Sequence, residues 1–343
     1  MRLASLLLKT LALSTLALGT FGLAFAQDGA EAVFRSNVQL VRILATVKDP
    51  SGALVGTLEK NDFEVRDNGV VQQISVFERQ TDQPLSVAVL IDNSGSTAKD
   101  LKFETDSVTR FLHALLREGN PEDAAALYSF NWEIVRQNGF TRNVASVERS
   151  LRGLKGEAGT SLYDAILLAS RDIEDRRGRK VLVIVTDGGD TTSRSDFQRA
   201  AEAAQVADAV IYPVLVVPIT NEAGRNIGGE NALTTLAQRT GGRVFQQSPG
   251  AALDQTFDQI IRDLRTQYLL GFYPRGVPLT KERFHSLGVS VSNPALQIKA
   301  RNGYYGEAQP TAPVHLDSGP GSDSIRMPKP AAPQPNTRRY PQN

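Results

Sequence analysis

Two hydrophobic rhythms divide the chain. Between about residues 84 and 265, continuous apolar runs alternate with stretches whose apolar residues recur every three or four positions. The runs Leu85–Asp92, Ala124–Phe130, Val181–Asp187, Ala209–Val217 and a short Arg243–Phe245 predict strands. The segments near Asp100–Arg117, Leu162–Arg176, Ser195–Val206, Asn231–Thr240 and Ala251–Arg265 predict helices. In the first helix Leu101, Val108, Phe111, Leu112 and Leu115 share one face, with Arg110 and Arg117 on the solvent side. Runs such as Val181-Leu182-Val183-Ile184-Val185 lack a polar alternate, as strands buried on both faces do. The alternation predicts an α/β domain with a Rossmann-like, doubly wound, mostly parallel sheet. Trp132 to Phe140 reads as an antiparallel excursion at one edge.

Both flanks follow the two-residue period of half-buried strands. In the N-terminal flank, residues 34–80, Val41, Ile43, Ala45 and Val47 alternate with Arg42, Leu44, Thr46 and Lys48. Asp49-Pro50-Ser51-Gly52 is a turn, Phe63 and Val65 begin a second strand, and Asp67-Asn68-Gly69 turns the chain into a third strand from Val70 to Phe77. In the C-terminal flank, residues 266–306, Tyr268–Tyr273 is followed by alternations at Leu287, Val289, Val291 and at Leu296, Ile298, Ala300, and Asn302-Gly303 ends the pattern. Neither flank has a core of its own. They are expected to pair into one small β-sandwich, with the α/β domain of residues 84–265 inserted between two of its strands. The last helix, Ala251–Arg265, runs almost without a linker into Tyr268, so a shift of that helix would reach the sandwich directly. After Glu307 the chain turns rich in Pro, Ser, Gly and Asn, which predicts a disordered tail over 307–343. Arg338-Arg339-Tyr340 there reads as a small solvated basic patch.

Composition narrows the classes. Of 343 residues 41% are hydrophobic, enough for a sizeable core. A net charge of +1 carries no electrostatic footprint for nucleic acid or an anionic membrane. The absence of cysteine excludes disulfides, zinc–thiolate sites, thiol catalysis and a lipidated cysteine. At the N-terminus Arg2 and Lys9 flank an early apolar stretch, and a run of Leu, Ala, Thr and Gly then reaches Ala24-Phe25-Ala26 before Gln27, the pattern of a cleavable export signal over residues 1–26. Its apolar part is shorter than the roughly 20 residues of a spanning helix. The expected location is the periplasm or outside the cell.

The candidate chemistry lies at strand ends. Asp92-Asn93-Ser94-Gly95-Ser96 follows the apolar run Leu85–Ile91 and puts one carboxylate and two hydroxyls on a tight turn. In open α/β sheets ligands bind at that edge. All three side chains offer oxygen, which suits Mg²⁺, Mn²⁺ or Ca²⁺. Gly159-Thr160-Ser161 places a hydroxyl just before a helix, and Thr186-Asp187-Gly188-Gly189-Asp190 ends a second strong strand in a carboxylate. If the strands of Asp92 and Asp187 are neighbours, the three loops converge. Each residue also has a plainer role. Asp92 could cap the following helix, Ser94 and Ser96 could be turn residues, Thr160 could be an N-cap and Asp187 a turn aspartate. Asp190 reads as a loop residue, and Asp164 as a support for the loops.

Asp92-x-Ser94-x-Ser96, Thr160 and Asp187 resemble, in order, loop context and rough spacing, the metal-ion-dependent adhesion site of the von Willebrand factor type A family. The resemblance covers about residues 84–265. The flanks, with Val47-Lys48-Asp49-Pro50-Ser51-Gly52 before and Gln267 to Tyr273 after, look like a bacterial exported subgroup of that family. It implies that Asp92, Ser94, Ser96, Thr160 and Asp187 hold Mg²⁺, or else Mn²⁺ or Ca²⁺, and that a protein partner completes the shell with an Asp or Glu side chain. An enzyme is disfavoured. Ser94 stands where a strand-end aspartate phosphotransferase would usually carry a second acid, and neither a G-x-S-x-G elbow nor a phosphate-binding G-x-x-x-x-G-K-[ST] loop occurs. The three histidines, His113, His285 and His315, lie outside the metal loops. The leading expectation is an exported adhesion-type binding module. The alternative is a structural or assembly component of the cell envelope in which a metal only stabilises loops.

Overall fold

The computed structural model describes residues 40–79, 83–97, 100–117, 119–216, 226–247, 251–277, 283–306 and 324–325. The export signal at 1–26, His315, Arg338-Arg339-Tyr340 and nearly all of the 307–343 tail lie outside them. In chain order the elements are β1 (Val41–Lys48), β2 (Phe63–Asp67), β3 (Val70–Gln72), β4 (Ile74–Glu78), β5 (Leu85–Asp92), α1 (Leu101–Arg117), β6 (Ala124–Phe130), β7 (Ile134–Thr141), α2 (Val144–Arg152), α3 (Leu162–Glu174) and β8 (Arg179–Thr186). They continue with α4 (Phe197–Val206), β9 (Ala209–Val216), α5 (Ile227–Thr240), β10 (Phe245–Gln247), α6 (Ala251–Arg265), β11 (Tyr268–Phe272), β12 (Phe284–Val291), β13 (Gln297–Lys299), β14 (Gly303–Tyr305) and β15 (Ser324–Ile325).

The central sheet has the order β10-β9-β8-β5-β6-β7-β15. Pairings from β10 to β6 are parallel, and β7 runs antiparallel to β6. β5 shows why its sequence has no polar alternate. Val87, Val89 and Ile91 enter one core with residues of α1, α2 and α6, while Ala88 and Leu90 enter another with residues of α3, α4 and α5. This is the doubly wound α/β fold that the periodicity predicts. β7 would be a bare edge; Ser324 and Ile325 of the tail pair with Val135 and Ile134 there.

The flanks form two four-stranded sheets, β13-β1-β11-β4 and β14-β12-β2-β3, each built from both sides of the inserted domain. Val41, Ile43, Val47, Phe63, Val65, Ile74, Tyr268, Leu270, Phe272 and Leu287 share one core between them. β4 and β11, the strands on either side of the insertion, pair directly, Leu269 opposite Glu78. The chain therefore leaves and re-enters the sandwich at adjacent strands.

Three local expectations are corrected. Val70 to Phe77 is two strands, because the chain changes sheet at Gln73. Gln72, buried, holds that corner: its Oε1 accepts from the Arg275 amide at 2.9 Å and its Nε2 donates to the Arg275 carbonyl at 3.1 Å. Gly303 begins a strand rather than ending the pattern, opposite Ser286 of β12. Phe284 lies where a Gly303 Cβ would be, so only glycine lets β14 approach. Helix α2 was not expected; Val144, Val147 and Leu151 form its buried face, and Asn143 caps it by accepting from the Ser146 amide.

The two parts meet below the sheet. Arg179 at the start of β8 is buried, donates to the Leu264 carbonyl and to Gln267 Oε1, and its pKa is lowered by burial to about 10. Gln267 Nε2 reaches Thr46 of β1 and Tyr212 of β9, each at 3.2 Å. That contact explains why Thr46 is buried against the alternation of β1.

Candidate metal centre

The strand order fixes where a ligand crevice falls. From β5 the chain moves to β6 on one side of the sheet, and from β8 to β9 on the other. The order reverses between β5 and β8, and the crevice of such a sheet opens beyond the carboxyl ends of the strands at that reversal. Asp92 is the last residue of β5, and Asp187 follows the last residue of β8.

Asp92 is fully buried and held on both oxygens. Its Oδ1 accepts from the Ser94 amide at 2.9 Å, and its Oδ2 accepts from Thr186 Oγ1 at 2.6 Å. Burial pushes its pKa up to about 6 against the opposing pull of those two bonds, and the Asp187 charge adds to the rise. It does not serve as the cap of α1. The turn after it is pinned by Thr97, whose hydroxyl donates to the carbonyls of Asp92 and Ser94. This leaves the Ser94 and Ser96 hydroxyls facing each other at 3.0 Å, Ser94 buried and Ser96 exposed.

Thr160 is brought to this turn through its loop. The Glu157 amide donates to the Asn93 carbonyl, and Ser94 and Glu157 form a parallel bridge. The Ser161 amide donates to the Asn131 carbonyl, one residue beyond β6. On the other side the Thr160 carbonyl accepts from the amides of Thr191 and Thr192. The N-cap position of α3 belongs to Ser161, not Thr160. So the 157–161 loop is stitched both to the Asp92 turn and to the loop that follows Asp187.

That last loop has its own supports. Asp164 accepts from the amides of Arg194 and Ser195, each at 2.8 Å, which is the loop-holding role read from sequence. Asp190 accepts from Ser193 Oγ at 2.5 Å and from the Tyr163 amide at 3.2 Å; a loop contact accounts for it. Thr186, Thr97 and Glu104 were not singled out by sequence. The first two are ordinary turn and strand residues until the sheet order is known. Glu104 sits on the apolar face of α1, 0% exposed. His113 pairs with Glu148 of α2, and His285 with Asp67 of β2, both away from the three loops.

Among the described residues no three His, Cys, Asp or Glu side chains converge closely enough to hold a metal by themselves. The donor set at the crevice is instead mixed, one buried carboxylate with two apposed hydroxyls beside a second carboxylate. Hard oxygen of this kind fits Mg²⁺, Mn²⁺ or Ca²⁺ and disfavours softer ions.

An open α/β sheet with oxygen-bearing loops at its reversal point defines a class of ligand-binding domains. The sequence profile of the von Willebrand factor type A domain matches residues 86–259, half of the chain, and the protein belongs to that family. Domains of this family are typically protein-interaction and adhesion modules. Among proteins of known sequence, the chain is 31% identical over 131 residues to an uncharacterized protein of Mycobacterium tuberculosis, Rv0959, and equally to one of Mycobacterium bovis, Mb0984. The match covers 37% of this chain and spans only 18% of the length of either relative. Among solved structures, the chain is similar to BatB of Bacteroides thetaiotaomicron, with 19% identity and a TM-score of 0.43 over 52% of this chain and 98% of that one. It is similar too to the vWF domain of the type V pili tip protein Mfa5 of Porphyromonas gingivalis, with 16% identity and a TM-score of 0.44 over 57% and 98%. Among the described residues no helix is long and apolar enough to cross a membrane.

Proposed function

We propose that this chain is an exported, non-enzymatic binding module that engages a protein partner through a divalent cation. Asp92, Ser94, Ser96, Thr160 and Asp187 would hold Mg²⁺, or alternatively Mn²⁺ or Ca²⁺. The bound cation supplies a Lewis-acidic position that an Asp or Glu of the partner completes. Asp92 Oδ2 is oriented by Thr186 and Oδ1 by the Ser94 amide, so the carboxylate is preorganised. Thr97 keeps the two serine hydroxyls together and presents Ser96 to solvent. Neutral hydroxyl donors leave more of the cation's charge available to the partner's carboxylate, a contact of the kind that dominates an interface. Export rests on the apolar N-terminal segment ending at Ala24-Phe25-Ala26.

The observation that carries this reading is the buried Asp92 carboxylate, set at the sheet's reversal point beside the Ser94–Ser96 pair. The test is affinity capture from envelope extract with the immobilised full chain, in Mg²⁺ and then in chelator, for wild type and Asp92→Ala. Partner recovery that depends on both Mg²⁺ and Asp92, with folding retained by circular dichroism, supports the reading. Recovery that survives chelator and Asp92→Ala overturns it and favours an envelope component whose metal serves only its loops.

A further inference from the structure

Glu104 stands where a hydrophobic residue belongs. It shares the inward face of α1 with Leu101, Val108, Phe111, Leu112 and Leu115, and it is 0% exposed. Neither carboxyl oxygen has a hydrogen-bond partner among the described residues. Among the described residues the charges that act on it are those of Asp92, Asp100 and Asp187, all carboxylates. Burial and this company push its pKa up to about 9.

An unpaired buried carboxyl of this kind destabilises a fold, because its lost hydration is not replaced by protein partners. Leucine at the same position would pack with the rest of the stripe. A protonated carboxyl would relieve the charge but still leave a donor without an acceptor. A positive charge brought in with the ligand of the site would instead compensate an ionised carboxylate, and Glu104 lies in the first turn of α1, which is tied to the Asp92 turn where the Leu101 amide donates to the Thr97 carbonyl and the Thr97 hydroxyl to the Asp92 carbonyl.

We propose that Glu104 is an outer carboxylate of the Asp92 cation site, supplying it with a third negative charge. The inference rests on the cation-binding reading above. Since no three acidic side chains converge within ligating reach among the described residues, Glu104 acts by charge rather than as a direct ligand. The site would thereby hold its cation more tightly than the five-residue motif alone, at the expense of the metal-free fold. Residues placed for function rather than stability commonly show this trade.

The test is titration calorimetry of Mg²⁺ and Mn²⁺ into the chelator-stripped full chain, comparing wild type with Glu104→Gln and Glu104→Leu. Asp106→Asn, an exposed position on the same helix, is the control for net charge. Thermal melts in chelator accompany each variant. Both Glu104 variants should bind cation about ten- to a hundred-fold more weakly, the usual cost of losing an outer partner of a metal site. Both should melt at higher temperature than wild type without metal, while Asp106→Asn binds as wild type does. Glu104 variants that bind cation with wild-type affinity overturn the proposal alone. A wild-type chain that binds neither cation overturns it together with the reading on which it rests. Leucine keeps the test decisive should glutamine bury poorly.

Discussion

Thr186 of β8 donates its hydroxyl to Asp92 of β5 across the reversal point of the sheet, at 2.6 Å, and accepts from the Gly188 amide at 3.1 Å. One side chain thus orients the buried carboxylate and begins the turn that carries Asp187. Thr186→Val keeps the shape and removes both bonds. A hydrogen bond to a charged group contributes about 1.5–3 kcal/mol, so the variant should lose stability in that range by urea denaturation. Cation affinity should fall with it. If Thr186→Val unfolds at the wild-type midpoint, the bond does not hold the carboxylate in place.

Glu104 and Asp92 both bear on the pH response of the metal-free protein. The folded pKa of Glu104, about 9, lies above its ordinary value of 4.5, and that of Asp92, about 6, above 3.8. In both cases the folded state binds the proton more tightly than the unfolded state does. Stability from these groups is therefore full below pH 4 and is lost as pH rises, through about 6 for Asp92 and about 9 for Glu104. The slope for one proton is at most about 1.4 kcal/mol per pH unit. Denaturation in chelator between pH 5 and 8 should show declining stability, and Glu104→Gln should flatten the decline. A decline unchanged in Glu104→Gln would assign it to other groups.

The difference between Leu85–Asp92 and Glu104 shows what sequence makes legible. β5, β6 and α6 have the bounds read from their patterns, because a strand buried on both faces and a long amphipathic helix leave unambiguous periods. The three-loop grouping of Asp92, Thr160 and Asp187 could be suspected from strand ends and a family motif. That β5 and β8 are neighbours, by contrast, depends on long-range pairing that no local pattern encodes. Glu104 was hidden for the opposite reason. A charged residue inside a helical pattern is read as solvated, and only the burial of the whole face shows otherwise. α2 escaped because a nine-residue helix carries just three buried apolar positions. The break at Gln73 escaped because Val70–Gln72 is three residues long, too short to carry a period of its own.

Gly159 shapes the Thr160 loop. Its φ is +86°, and an added Cβ would come within 2.9 Å of Trp132 Cβ and 3.2 Å of Thr192 Cγ2. Gly159→Ala should destabilise by about 1–3 kcal/mol and, by pushing the loop off Thr192, weaken cation binding in calorimetry. Gly52, at φ +85° with nothing within 4 Å, isolates the conformational part. Gly52→Ala should cost stability but leave cation affinity untouched. Equal affinity in the two variants would detach the Thr160 loop from the site.

The sandwich has a polar lock that is independent of the cation. Asp67 of β2, fully buried, accepts from Tyr304 of β14 at 2.7 Å on one oxygen and meets His285 Nδ1 of β12 at 3.0 Å on the other. The His285 and Tyr304 rings stack with centroids 4.7 Å apart. The three strands belong to one sheet, ordered β14-β12-β2, so the lock ties the C-terminal flank to the N-terminal one. Tyr304→Phe keeps the ring and removes the hydroxyl, leaving one oxygen of a buried carboxylate without its donor. The loss should be about 1.5–3 kcal/mol in urea denaturation. Asp67→Asn should cost a comparable amount, and the double variant less than the sum, because both changes break the same bond. Cation affinity should be unaffected in all three. Strict additivity in this cycle would mean that Asp67 and Tyr304 stabilise the sandwich separately.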